Sequence, residues 1–458
     1  MTLPDLALSV QSHPFSKNSS FAQLDDGRIV HANHQSCQTS DDGGLTWTKG
    51  RLLCDTNGDP VGGSNTSIAK LSGPKSIGMA ARLPVDPPDV PYALFPGGGR
   101  AYKSSVMFWR SDDGGETWQP PVRMSPPGVN TAAMNDTLLH TSSGRLIWPV
   151  YISMGQMIGH DGRMKNNGPL DGKLVRNQYV GTGAHFYDPS FDVGVVLYSD
   201  DEGQTWQCNR DGELVILLDW SAYYSKVNEA SITEVAPGTS PGRLLMVMRS
   251  SLGRLFQAWS DDNGETWTRP QPSSLASSEA PGQIRTLPNG HLLCIWNQDS
   301  EEEVRRGQNR TRISSAISRD GGRVWEFFQN IESIHETTRV EPGPIHPVRP
   351  EEIYNNAGIG AFERDGRFID HADVHGRWMY PAALVMKDSV LVSYGCHGYY
   401  QDHPTRAELV RDFTGEISDE TGGPMGQRRK VLPINWFYGG KEPADNPFLK
   451  AAYEPARP

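Results

Sequence analysis

Short strand-like runs recur along the chain, each followed by turn-forming residues: Ser105–Arg110, Val193–Tyr198, Arg254–Trp259 and Arg312–Ile317. Their β-branched and aromatic side chains, bounded by clusters of Gly, Asp and Ser, predict β-strands. Most of these runs are preceded by another pair around a turn, such as Ile232–Gly238 then Arg243–Arg249, or Gln283–Gly290 then His291–Asn297. Four strands to a unit is the make-up of a propeller blade.

The turn after the third strand is written in one pattern. Ser111-Asp112-Asp113-Gly114-Gly115-Glu116-Thr117-Trp118 has close copies that begin at Ser40, Ser199 and Ser260, and a looser one at Ser318. Glycine accepts positive φ, and short Asp and Ser side chains bond the turn's own backbone, so each copy predicts a hairpin tip between strands three and four. A metal loop is not expected, because no run of alternating oxygen ligands ending in a Glu follows the Asp pair. The box has a folding role. A sixth unit, Tyr380–Met386 then Ser389–Tyr394, follows without a box. The expectation is an all-β chain: a single six-bladed β-propeller of four-stranded antiparallel blades over 1–458. The blades cover roughly 17–54, 64–125, 130–218, 226–275, 280–332 and 378–437, with long insertions at 153–192 and 331–379. Either Leu3–Val10 or Val431–Phe437 helps to close the ring.

Composition narrows the partners. A formal net charge of -11 opposes binding to nucleic acid or to an anionic membrane. Five scattered cysteines without CxxC spacing suggest neither a disulfide framework nor a zinc site. The first ten residues carry no basic start, and no stretch of eighteen apolar residues occurs, so a cytoplasmic location is expected.

In a blade of this kind strand one starts, strand two ends and strand three starts at one rim, opposite the boxes. Loops at that rim are where chemistry is expected, and the long excursions 83–103, 153–192, 298–309 and 331–379 fall there. The residues read at these ends are His34, Asn65, Arg82, Tyr151, Glu229, Arg249, Asn297, Arg310, Tyr380 and His397. Three arginines gathered with a Glu and a Tyr exceed what capping a propeller needs.

The repeated box on six blades resembles the Asp-box of the sialidase superfamily. In the fourth unit, Glu229–Val235, Arg243–Arg254 and then Ser260–Trp267 are similar to the sialidase segment in which a catalytic Glu opens the blade and a substrate-binding Arg ends its second strand. The resemblance implies those roles for Glu229 and Arg249. It implies a third-arginine role for Arg310, with Arg312 competing, and a nucleophile role for Tyr380, which stands where sialidases carry their Tyr-Ser-x-Leu motif. A neutral phenol suits a reacting carbon that bears a carboxylate, since an Asp or Glu nucleophile would be repelled there. Arginines suit the same group by bidentate pairing.

Two positions depart from the family pattern. Ser20 stands where the first arginine belongs, and the turn after His34 carries no Asp to act as general acid. His34 or Asp59 is the candidate acid, and Arg82 the candidate replacement arginine. Asn297 and Tyr151 complete the expected substrate contacts. The implied activity is exo-acting hydrolysis of a terminal acidic sugar from a glycan, with no metal or organic cofactor. Two other uses of the same residues stay open: a polysaccharide lyase acting on a uronate through a Tyr or His base, and a non-catalytic glycan-binding propeller.

Overall fold

In a computed structural model the described residues are 8–11, 19–84, 104–125, 131–154, 174–175, 178–179, 191–210, 228–236, 240–305, 310–333, 335–346, 377–397 and 425–440. Most of the insertions at 153–192 and 331–379 lies outside them. The strands form six antiparallel blades. Blade one is Ser20–Gln23, Ile29–Asn33, Ser36–Ser40 and Arg51–Leu52. Blade two is Ser64–Lys70, Ile77–Pro84, Ser104–Ser111 and Val122–Arg123. In blade three the innermost strand is split into Thr131–Ala132 and Leu139–His140, ahead of Leu146–Met154, Phe191–Ser199 and Gln207–Cys208.

Blade four is Asn228–Glu234, Leu244–Arg249, Arg254–Ser260 and Gln271–Ala276. Blade five is Gly282–Thr286, Leu292–Trp296, Arg312–Ser318 and Glu326–Ser333. Blade six is assembled from both ends of the chain: Arg377–Val385, Ser389–His397 and Met425–Pro433 are joined at the outer edge by Leu8–Gln11. The N-terminal strand therefore closes the ring by hydrogen bonding. The expected C-terminal closing segment divides differently, its first part finishing strand three and Ile434–Tyr438 forming a 3-10 helix.

Alternation along each strand puts apolar side chains between blades, where they make one cluster per interface. Val30, Ile77 and Trp109 pack between blades one and two, for example, and Leu245, Leu292 and Trp296 between four and five. Phe21, Ile29 and Leu391 seal blade one against blade six.

The boxes sit between strands three and four, and their chemistry is local. In the second, the Asp113 carboxylate accepts from the Ser111 and Thr117 hydroxyls at 2.8 and 2.6 Å and from the Glu116 and Thr117 backbone N–H groups. Trp118 returns its indole N–H to the Gly115 carbonyl at 3.1 Å. The same bonds recur around Asp42, Asp201 and Asp262. The Thr46 hydroxyl, first among these donors, pulls the Asp42 carboxyl down to about 2. Each box also leans on the preceding blade: Gly114 lies beside Leu24, Gly203 against Phe108, Gly264 beside Ile147 and Gly322 against Leu245. Blade six has no box, and its 3-10 helix makes that contact instead, with Phe437 and Tyr438 packed on blade five and the Tyr438 hydroxyl 2.8 Å from His291 Nδ1.

At the centre the innermost strands are edges whose N–H groups face the channel and need partners. Side chains of the neighbouring blade supply several. Ser20 Oγ accepts from Ile68 N at 2.8 Å, Ser67 Oγ from Thr137 N at 3.0 Å and Ser231 Oγ from Ile284 N at 3.2 Å. Asp136 bonds Phe21 N and Ala383 N and is ion-paired with Arg285. Burial raises the Asp136 carboxyl's pKa, and Arg285 opposes that rise. This polar hub fixes how blades one, three, five and six face one another.

Candidate active site

On the rim opposite the boxes, Glu229 is the second residue of the innermost strand of blade four and Tyr380 the fourth residue of the innermost strand of blade six. Both have positive φ, 44° and 51°, a conformation that costs a bulky L-residue on the order of 1–3 kcal/mol. A register shift follows each, between Asn228 and Ser231 and between Met379 and Ala382. Such a bulge turns a side chain out of the strand's alternation, and the two side chains meet: the Tyr380 hydroxyl donates to Glu229 Oε1 at 3.1 Å.

The other Glu229 oxygen accepts from Arg249 Nη1, and the side chains of this pair are each 4% exposed. Arg249 Nη2 lies 3.8 Å from Glu279 Oε1. Arg310 Nη2 donates to the Glu279 carbonyl at 3.2 Å, and its guanidinium carbon stands 5.4 Å from the Tyr380 ring centre. Burial would lower the Arg249 pKa, but Glu229 and Glu279 more than offset it and the guanidinium stays charged. Burial raises the Tyr380 phenol, as does Glu229, while Arg249 and Arg310 pull it down. The result is a neutral phenol whose proton already points at a carboxylate, between two cations.

The hairpin between strands two and three of blade five holds this group in place. Arg310, with φ 62°, donates its backbone N–H to Asp299 Oδ2 at 3.0 Å, and its carbonyl accepts from Trp378 N at 2.9 Å. Asn297 is fully buried and its amide donates to the Trp378 and Arg312 carbonyls, both at 2.8 Å. It thereby anchors the strand two residues before Tyr380. Arg312 is 0% exposed and tied to Glu303 at 2.9 Å, so of the two competing arginines it is Arg310 that stands beside Tyr380. Burial lifts the Asp299 carboxyl to about 6.

Other expected residues stand on blades one to three. His34 is half-buried in a two-residue turn with φ 47°, and its carbonyl accepts from Thr66 Oγ1 at 3.3 Å. Asp59 is exposed, in a turn where its backbone N–H reaches Asp55 Oδ1 at 3.0 Å. Arg82 is half-buried, opposite Ser64, and Tyr151 is buried in the second strand of blade three. Ser20 donates its hydroxyl to Asp136 at 2.6 Å and so belongs to the hub. Sequence reasoning missed Glu279, Asp299 and the Asp136–Arg285 pair. None of them lies in a repeated motif, and only contact across blades reveals them.

The sequence from 90 to 392 matches the family described as BNR repeat-like domain. No curated protein sequence matches. Among solved structures, the chain is similar to the K499G mutant of NanB sialidase from Streptococcus pneumoniae, with TM-score 0.52 and 12% identity over 95% of this chain and 72% of that one. It is also similar to the Hadza microbial sialidase Hz136, with TM-score 0.50 and 15% identity over 84% of this chain and 66% of that one. A Dyadobacter fermentans protein titled as of unknown function shows 18% identity and TM-score 0.50 over 94% and 100% of the two chains. At such identities the likeness shows the fold, and the chain spans about two thirds of the length of the microbial sialidase. With 303 of its residues covered by the family model (392 − 90 + 1) and six box-bearing or box-replacing blades in one ring, the chain belongs to the BNR repeat-like domain family, as a divergent propeller with the sialidase fold.

Proposed function

We propose that the protein is a glycoside hydrolase that removes a terminal acidic sugar, sialic acid or a related 2-keto sugar acid, from a glycan. The observation that carries this is the hydrogen bond from the Tyr380 hydroxyl to Glu229, held by Arg249. Glu229 accepts the phenol proton as the Tyr380 oxygen bonds to the anomeric carbon. The bond to the leaving oxygen breaks, and that oxygen takes a proton, for which His34 and Asp59 are the candidates. Water then releases the sugar by the reverse sequence. Arg310, beside the Tyr380 ring, favours both the developing phenolate and an anionic sugar.

Purified protein assayed with a chromogenic α-sialoside and a panel of other ulosonic and uronic glycosides tests the reading. Tyr380→Phe and Glu229→Gln are each expected to lower turnover by at least about a hundredfold; Tyr380→Phe should leave the melting transition in place, and Glu229→Gln should lower it, because Arg249 loses its buried partner. Full activity in both variants would remove the mechanism.

A further inference from the structure

Arg249 is shared between two carboxylates. Its Nη1 is bonded to Glu229 Oε2, and its Nη2 lies 3.8 Å from Glu279 Oε1. The two acids differ in access: the Glu229 side chain is 4% exposed and the Glu279 side chain 32%. Glu279 stands in the connection between the strands Gln271–Ala276 and Gly282–Thr286, flanked by buried Ser278 and Ala280. The Ala280 N–H donates to the Ser278 carbonyl at 2.7 Å across it, and the Glu279 carbonyl accepts from Arg310 Nη2 at 3.2 Å. One residue therefore meets both arginines that flank the Glu229–Tyr380 pair. It takes Arg310 with its backbone and Arg249 with its charge.

A guanidinium bonded to a carboxylate favours the ionised form and so makes that carboxylate a poor proton acceptor. Paired with Arg249 alone, Glu229 would have little drive to take the Tyr380 proton. A second carboxylate on the same guanidinium works in the opposite sense, because it competes for the positive charge and repels the negative charge on Glu229. The balance also matters after transfer. Once Glu229 is neutral, Arg249 is a buried cation that has lost its nearer partner, and such a charge is costly unless another takes its place. Glu279 is already beside it. The remaining charged or titratable groups around Glu229 among the described residues are Tyr380, which donates to it, and Arg310 beyond the Tyr380 ring, with Asp299 behind the Arg310 backbone. The Glu279 carboxylate itself neither gains nor loses a proton in this step.

We propose that Glu279 is a positioning residue for proton transfer: by sharing Arg249 it keeps Glu229 able to accept the Tyr380 proton, and it becomes the counter-ion of Arg249 once Glu229 is neutral. The proposal rests on the hydrolase reading for the step in which Glu229 takes that proton. The full chain, labelled with carbon-13 at its Glu carboxyls, is titrated by NMR as wild type, Glu279→Gln and Glu279→Asp, the Glu229 signal being the one lost in Glu229→Gln. Both substitutions at 279 keep the carbonyl that holds Arg310. In Glu279→Gln the Glu229 signal should titrate at least about half a pH unit lower than in wild type, and Glu279→Asp should restore most of the shift. With a chromogenic α-sialoside, Glu279→Gln should move the acid limb of kcat/KM the same way and lower kcat about tenfold or more; a purely structural role would lower kcat and leave the limb where it is. The coupling is refuted if Glu229 titrates at the same pH in Glu279→Gln as in wild type. It is refuted equally if wild-type Glu229 titrates below about pH 3, well under the ordinary range of a Glu. Absence of turnover on every glycoside would sink the hydrolase reading alone, because the NMR titration decides the coupling without catalysis.

Discussion

The two faces of the propeller spend backbone conformation differently. On the box face each turn needs two successive residues of positive φ, and of those ten positions all but Glu202 and Asn263 are glycine. On the opposite rim some left-handed positions are glycine, as at Gly62 and Gly253, but His34, Asn65, Glu229, Arg310 and Tyr380 carry full side chains in that conformation. Where the conformation serves only the turn, the residue without a Cβ takes it at no steric cost. Where a particular side chain must leave the strand at that point, the strain is tolerated. Polar groups follow the same division. The Asp two residues after each box Ser accepts from donors within four residues, as Asp113 does, whereas Glu229 accepts from side chains 20 and 151 residues away. One face is built for folding and repeated; the other is built once.

Substitutions at the two faces test this division. The largest expected effect is at the rim: Arg249→Met leaves Glu229 a buried charge without its main partner and should cost about 3–5 kcal/mol in urea unfolding, and adding Glu229→Gln should recover part of it. A loss below about 1 kcal/mol would mean that the rim charges are as independent as surface pairs.

Next comes Asp299→Asn. Burial raises this carboxyl from 3.8 to about 6, so the native state holds the proton more tightly than the unfolded chain. Stability then falls as pH rises from about 4 to about 6 and stays lower above that. The amide escapes this fall and can still accept the Arg310 N–H, so the variant should gain on the order of 3 kcal/mol at pH 7, at about 1.4 kcal/mol per unit. Unfolding curves at pH 4 and pH 7 would show it, and an equal difference at both would refute it.

On the box face Asp113→Ala removes the acceptor shared by Ser111, Glu116 and Thr117. The expected loss is about 1–2 kcal/mol, with sugar binding unchanged; altered binding would tie the two faces together. Smallest is Val324→Thr. The fifth box lacks the hydroxyl that the other four direct at their Asp, and Asp320 there is held by Ser318 and two backbone N–H groups. Restoring the hydroxyl should add about 0.5–1 kcal/mol.

Much of this division is legible in the chain. The box turns, the strand before each and the side of the blade on which loops lengthen are local, because hairpin turn chemistry and two-residue alternation set register within one blade. Glu229 and Arg249 were readable as a pair for the same reason, being ends of adjacent strands. Asn297 was readable as a strand end but not as an anchor, since its partners include the Trp378 carbonyl of the next blade. The choice between Arg310 and Arg312 likewise turned on burial beside Glu303.

By itself the sequence determined an all-β ring of six blades, the folding role of its boxes and the rim to which Glu229, Arg249 and Tyr380 belong. Only the tertiary structure decided that Tyr380 reaches Glu229, that Asp136 and Arg285 tie the hub, that Leu8–Gln11 closes blade six and that Asn65 shares the bulge of Glu229 and Tyr380. The physical reason is range. Turns and alternation act over a few residues, whereas contacts across the channel exist only once every blade has packed on its neighbour, and no local pattern encodes which side chains that closure brings together.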